Sequence, residues 1–228
     1  MHRSGTSFLT GSLQTAGLYL GKHHTWNRHN HKGNRENDDI VQLNDRVLAD
    51  NGGTWNAPPK QVVWQPSHYA AAAEIIRGYD AYTAWGFKDP RTLCTLDGWR
   101  HLIPGMKRVG IFRHPDAVIR SLNARGNMAV AEPDAIRLWT HYNQRLLAAY
   151  ARDPFPILCF DWDPPVLLGH LDAVSKAFGL GTVFTDNPFF EPSLKHHDPD
   201  QCRRLPFQTR RLYAKLQQAS NQSLTRYR

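Results

Sequence analysis

The first seven residues, Met1-His2-Arg3-Ser4-Gly5-Thr6-Ser7, set a glycine and three hydroxyl side chains beside an arginine and lead straight into the apolar pattern from Phe8 onward. That order of residue types suits an anion. Backbone N–H groups and the positive end of the following helix face it, Gly5 permits close approach, and Thr6 and Ser7 add hydroxyl donors. A serine-rich helix cap has much the same composition, so the loop alone leaves both readings open. A nucleoside-triphosphatase loop is excluded, because the GxxxxGK[ST] spacing is absent and Gly11 precedes Ser12 rather than a Lys-Ser or Lys-Thr pair. Two further stretches gather reactive side chains: "GFKDPRT" from Gly86 to Thr92, and "FRHPDAVIRSL" from Phe112 to Leu122. Residue by residue, Lys88 can read as a partner of Asp89, Arg113 as half of a salt bridge and Ser121 as a helix-surface serine.

The elements that must position these groups follow from hydrophobic spacing. Phe8, Leu9, Leu13, Ala16 and Leu20 predict a helix over about 7–20, with Gly17 and Gly21 loosening its end. The polar stretch 22–37, rich in His and Asn, has no period and reads as a surface loop near the site. Helical spacing resumes over 38–50 and stops at "NGGTWNAPP", and a further helix is predicted over about 67–79. Tyr82, Trp85 and Phe87 favour a short strand ended by Pro90, and a helix follows over 93–103. A strand over 108–112, a turn at His114-Pro115 and a helix over 116–125 form a strand–loop–helix unit. An amphipathic helix over about 134–151, the strand "PILCFD" and a helix over about 164–178 come next. A basic C-terminal helix is expected within 199–218. Strands alternating with helices predict the α/β class, a central parallel sheet between helical layers.

The chain has 228 residues, of which 41% are apolar, enough for a single domain over 1–228 with a substantial core. No run of about 18 apolar residues is present, so a membrane span is not expected, and the first residues lack the layout of a signal peptide. Cys94, Cys159 and Cys202 are odd in number and without metal-type spacing, which suits a reducing compartment and makes the cytoplasm the expected location. The net charge of +8 favours an anionic partner, and arginine outnumbering lysine favours bidentate binding of phosphate or sulfate groups. A basic solvated surface accounts for the charge equally well.

Taken together and in this order, "HRSGTS", "GFKDPRT" and "FRHPDAVIRSL" resemble the sulfotransferases that use 3′-phosphoadenosine 5′-phosphosulfate, and the "KGNREN…LND" segment resembles their bacterial branch. The resemblance runs from residue 1 to about residue 165; the tail matches weakly. It implies a P-loop-like α/β/α fold with a nucleotide cosubstrate and no metal. It assigns Arg3, Ser4, Gly5, Thr6 and Ser7 to the 5′-phosphosulfate, with Arg3 close to the reacting group, and Arg113 and Ser121 to the 3′-phosphate. Asp116 to Ser121 rises about 7–8 Å along a helix, so Arg113 and Ser121 reach one phosphate only from the helix start. Lys88 is implied as the cation that stabilises charge building on the oxygen between sulfur and the 5′-phosphate.

The acceptor must lose a proton to a base. Where many cytosolic relatives place a histidine two residues after the lysine, this chain has Pro90. The resemblance to members acting on peptides or glycans points instead to Glu36, with His2 in reserve; a carboxylate favoured at a helix N-terminus is the other reading of Glu36. His23, His24, His29 and His31 lack a carboxylate at ligand spacing, so metal is not expected. Trp26 and Trp55 suit either stacking on a sugar or aromatic acceptor, or burial. Related chains carry a buried mid-sheet strand ahead of the opening loop. Only Met1 stands there, so the expectation is a start codon assigned too far downstream, or else a degenerate protein.

The leading expectation is therefore transfer of a sulfuryl group to a hydroxyl or amine of a glycan, lipid or small-molecule acceptor. The alternative is a non-catalytic relative that binds nucleotide or acidic glycan. A kinase is disfavoured by the missing loop lysine and magnesium carboxylate, and nucleic acid by the lack of any binding motif.

Overall fold

The computed structural model describes residues 1–26, 33–124, 129–183, 189 and 205–227. Among these are eight α-helices and two short strands, with four helices ahead of the first strand and two between the strands, a mixed α/β architecture.

Helix α1 (Thr6–Thr15) starts directly after Gly5 and ends at Ala16-Gly17, short of the predicted residue 20. Gly17 sits at φ 104°, a left-handed conformation that ends the helix, and Tyr19 turns into an extended segment. Helix α2 (Asp38–Asp50) is capped by Asn37, whose side chain accepts from the Asp39 and Ile40 N–H groups, with two aspartates in the first turn complementing the dipole. Pro66 opens α3 (Pro66–Arg77), and α4 (Thr92–Leu102) follows the Lys88 turn. Strand β1 (Gly110–Phe112) leads into α5 (Pro115–Asn123), where proline fixes the first helical φ and His114 Nδ1 accepts from the Asp116 N–H. The long α6 (Glu132–Arg152), β2 (Ile157–Cys159), α7 (Pro164–Ala177), α8 (Phe207–Leu224) and a single 3-10 turn complete the order. Helix α8 lies later than expected; residues 190–204 are outside the described set.

Strands β1 and β2 pair in parallel, Gly110 opposite Ile157 and Phe112 opposite Cys159. Their side chains alternate between two cores. Phe112, Ile157 and Cys159 join residues of α4, α5, α6 and α8, whereas Ile111 and Leu158 join α1 and α7. A third cluster links α2, α3 and α4 through Leu43, Val47, Trp64 and Trp99. The outer edge of β2 is closed by a helix. Ser220 Oγ donates to the Ile157 carbonyl at 2.6 Å, and Ser223 Oγ accepts from the Ile157 N–H at 3.0 Å. Two serines one turn apart thus replace a neighbouring strand and satisfy an otherwise orphaned pair of backbone groups.

The sheet is smaller than the sequence predicts. The stretch around Trp85 forms a single parallel bridge with Tyr19, in which Tyr19 donates to Ala84 at 2.9 Å and accepts from Gly86 at 3.0 Å. Between this bridge and β1 lies a slot of about 470 Å³. Its walls are Trp85 to Asp89 on one side and Lys107 to Ile111 on the other, with Leu9 and Leu13 of α1 and Leu96 of α4 among its apolar lining.

Candidate active site

The opening loop folds around two left-handed residues, Arg3 at φ 64° and Gly5 at φ 84°. Gly5 is required twice over. Any side chain there would be strained by φ, and a Cβ would come within 2.2 Å of the Phe160 ring. Phe160, just past β2, also packs edge-on against Phe8 and lies under the Arg113 guanidinium, 5.1 Å from its centroid. One aromatic ring therefore seats both the opening loop and the arginine after β1.

Within the loop, Ser4 is fully buried and its hydroxyl has no hydrogen-bond partner among the described residues. Thr6 begins α1, and Thr10 Oγ1 caps its carbonyl at 2.8 Å. Ser7 Oγ donates to the Asn34 carbonyl at 3.3 Å, which draws the segment ahead of α2 onto the start of α1. Arg3 Nε donates to Ser121 Oγ at 2.7 Å across 118 residues. The side chain expected at the 5′-phosphosulfate thus already meets the one expected at the 3′-phosphate. Arg113 turns elsewhere, its Nε 3.5 Å from Asp161 Oδ1, and burial lowers its pKa against the opposing pull of Asp161. Asp161 also accepts the His114 N–H at 2.6 Å, holding the turn between β1 and α5.

The second half of the site is an ion pair. Lys88 Nζ donates to Glu36 Oε1 at 2.7 Å, with the two side chains only 10% and 14% exposed. Burial lowers the Lys88 pKa, while Glu36 and then Asp89 work against that shift. Asp89 is not the main partner of Lys88. It accepts from Arg91 Nη1 at 2.9 Å and from Asn44 Nδ2 at 2.9 Å, and burial raises its pKa against those partners.

Asn44, fully buried in α2, uses its whole hydrogen-bonding capacity. Its Oδ1 accepts from Thr95 Oγ1 at 2.7 Å and Trp99 Nε1 at 3.0 Å, while its Nδ2 also reaches Thr92 Oγ1 at 3.4 Å. Asp45 accepts from Arg91 Nε at 2.6 Å. Neighbouring residues of α2 thereby clamp the 89–91 turn, and Glu36, just ahead of the same helix, is held against Lys88. Sequence reasoning did not assign Asn44, Asp45, Arg91 or Phe160. The one signal was a polar Asn-Asp pair inside an apolar periodic stretch.

His2 packs against Trp55 at 4.7 Å between centroids, with the rings tilted by 55°, and meets the edge of Tyr142 at 6.1 Å, which places Trp55 against the protein. Trp26 is 66% exposed. His23 Nε2 lies 3.0 Å from Arg35 Nη1 and its Nδ1 2.8 Å from the Gly21 carbonyl, while His24 pairs with Asp38 at 2.7 Å. His29 and His31 are outside the described residues. Among the described residues, no three His, Cys, Asp or Glu side chains group as metal ligands, and no helix is long and apolar enough to cross a membrane.

The arrangement offers a glycine-cradled helix N-terminus, a buried hydroxyl without a partner, two arginines, and a buried cation–carboxylate pair. Comparison with family models, curated proteins and solved structures finds no match to this chain.

Proposed function

We propose that the chain is a sulfotransferase of P-loop-like α/β/α type, moving a sulfuryl group from 3′-phosphoadenosine 5′-phosphosulfate to a hydroxyl or amine of a glycan, lipid or small-molecule acceptor. The observation that carries this reading is the buried Lys88–Glu36 pair, 2.7 Å apart, with Lys88 lining the same slot as Met1 and Thr6 of the loop. In this reading Arg3, Ser4, Thr6, Ser7 and the amides around Gly5 bind the phosphosulfate, and Arg113 and Ser121 bind the 3′-phosphate, with the Arg3–Ser121 hydrogen bond joining the two halves.

The acceptor oxygen or nitrogen attacks sulfur, the bond from sulfur to the bridging oxygen breaks, and the nucleotide leaves as adenosine 3′,5′-bisphosphate. Lys88 meets the charge that grows on the bridging oxygen. Drawing Lys88 off Glu36 frees the carboxylate to take the acceptor proton, so donor binding prepares the base. Metal has no part in these steps.

The test is release of adenosine 3′,5′-bisphosphate from the donor across a panel of hydroxyl and amine acceptors. Acceptor-dependent release that falls at least about a hundredfold in Lys88→Ala, with bisphosphate affinity nearly unchanged, supports the reading. Equal loss of binding and turnover opposes it. The alternative is a non-catalytic binder of nucleotide or acidic glycan; bisphosphate binding without release on any acceptor would select it.

A further inference from the structure

Among the described residues, the two non-glycine positions with left-handed backbone are both arginines beside the site: Arg3 in the opening loop, and Arg35 at φ 57°, directly ahead of Glu36. Such a conformation is unfavourable outside glycine and persists only where its neighbours fix it. Here they do. The Arg35 N–H donates to the His24 carbonyl at 3.2 Å, and the Glu36 carbonyl accepts from the His24 N–H at 3.1 Å. The conformation sets the direction of the Arg35 side chain. Its guanidinium lies over the Phe189 ring, 4.7 Å from the centroid, and that ring is seated on α1, where a Cβ at Gly11 would come within 2.5 Å of it.

The partner of Arg35 is not an acid. Nη1 lies 3.0 Å from His23 Nε2, and His23 Nδ1 lies 2.8 Å from the Gly21 carbonyl, which assigns the ring proton to Nδ1 and leaves Nε2 as the acceptor. Gln14 Nε2, at 3.3 Å, donates to the same nitrogen. Three other half-buried arginines, Arg91, Arg108 and Arg113, each face an aspartate. Arg35 faces none among the described residues, and burial alone lowers its pKa. A cation drawn out of water without a counter-charge is completed by an anion. The edge that would take it is open: Nε is buried without a partner, and Nη2 beside it makes no hydrogen bond among the described residues. These two groups form the fork that binds two oxygens of one anionic group. Gln14 Oε1 is also buried without a partner, an acceptor suited to a hydroxyl. An anion that carries hydroxyls meets both needs.

The place of Arg35 along α1 follows from its anchors. Ser7 Oγ donates to the Asn34 carbonyl at the first turn, and His23 joins Arg35 to Gln14 in the last. Ser7 to Gln14 rises about 10 Å along the helix. Glu36, next in the chain, faces Lys88. We propose that Arg35 forms a subsite for the carboxylate or sulfate ester of an acidic sugar, held on Nε and Nη2 about 10 Å along α1 from the opening loop. Assigning this sugar to the acceptor rests on the sulfotransferase reading, and it narrows the acceptor to an acidic glycan; the anion site itself does not depend on that reading.

The test follows the Arg35 Nε–H signal by nitrogen-15 NMR, assigned by its loss in Arg35→Gly, while glucuronate, glucose 6-sulfate or glucose is added at constant ionic strength. The three sugars differ only in the group at carbon 6. The expected result is a saturable shift with at least one of the two anionic sugars and none with glucose; the tighter of the two names the group. Glycine adopts φ 57° without strain, so Arg35→Gly should unfold at the same denaturant concentration as the wild type. Its affinity for the anionic sugar should fall at least about tenfold in calorimetry, with adenosine 3′,5′-bisphosphate affinity unchanged. No saturable shift with either anionic sugar, an equal shift with glucose, unchanged sugar affinity in Arg35→Gly, or marked destabilisation of that variant overturns the proposal. Failure of the bisphosphate to bind, with the sugar response intact, would remove the sulfotransferase reading and leave the anion site standing.

Discussion

Replacing Glu36 with glutamine removes the one carboxylate that, among the described residues, lies within hydrogen-bond distance of a lysine that is 10% exposed. Breaking a buried pair by deleting one charge costs about 3–5 kcal/mol, because the remaining charge keeps its desolvation penalty. Glutamine retains a carbonyl oxygen in the same place, which puts the expected loss at the low end, about 3 kcal/mol at pH 7. The loss should also depend on pH in a definite sense. The folded-state pKa of Lys88 already lies below its unfolded value, chiefly through burial, and Glu36 is the main group opposing that shift. Between the folded and unfolded values the unfolded chain binds more protons, so stability rises with pH there. Without Glu36 the folded value falls further below the unfolded lysine value of 10.5, the window widens, and the gap between variant and wild type narrows as pH rises through it. Guanidinium unfolding at steps from pH 7 to pH 10 measures it. Lys88→Met added to Glu36→Gln should recover much of the loss, since no buried charge is then left unpaired. A deficit below about 1 kcal/mol, a deficit constant across these pH values, or a double variant as unstable as the single one would refute the reasoning.

Ser220→Ala should cost about 1–3 kcal/mol in urea unfolding, because the Ile157 carbonyl is left buried without a partner. Gly5→Ala, which meets both φ 84° and the Phe160 ring, should destabilise the chain by more than about 1 kcal/mol and abolish adenosine 3′,5′-bisphosphate binding in calorimetry. The Met1 amine, with its pKa lowered from 8.0 to about 5 by burial, should make stability rise by up to about 4 kcal/mol between pH 5 and pH 8. Nα-acetylation should remove that slope, visible in denaturation at the two pH values.

Helices were the most legible part of the chain, for local reasons. Asn37 with two aspartates marks the start of α2, proline marks those of α3, α5 and α7, and apolar spacing carries α6. The sheet was less legible because a strand exists only when paired, and the pattern around Trp85 cannot tell whether a second partner is there. Helix α1 ends earlier than its apolar spacing predicts, since Leu18 and Leu20 continue the period past Gly17, whose left-handed backbone stops the helix. Motif order brought Arg3, Lys88, Arg113 and Ser121 into consideration, yet their actual partners are distant in sequence. Arg3 meets Ser121 and Lys88 meets Glu36, across 118 and 52 residues, separations that no spacing rule connects. Asn44 was missed because it sits at a core position of an amphipathic helix, where its role is visible only once α4 supplies Thr95 and Trp99.

In the proposed reading the opening loop, Arg113 and Ser121 build a donor site, and Lys88 acts on the transferred group. Calorimetric titration of adenosine 3′,5′-bisphosphate without metal, into the wild type, Lys88→Ala and Arg113→Ala, tests that site before any acceptor is known. The expected result is binding by the wild type, nearly the same affinity in Lys88→Ala, and a loss of about tenfold or more in Arg113→Ala. No binding by the wild type, or binding unaffected by Arg113→Ala, would contradict the account.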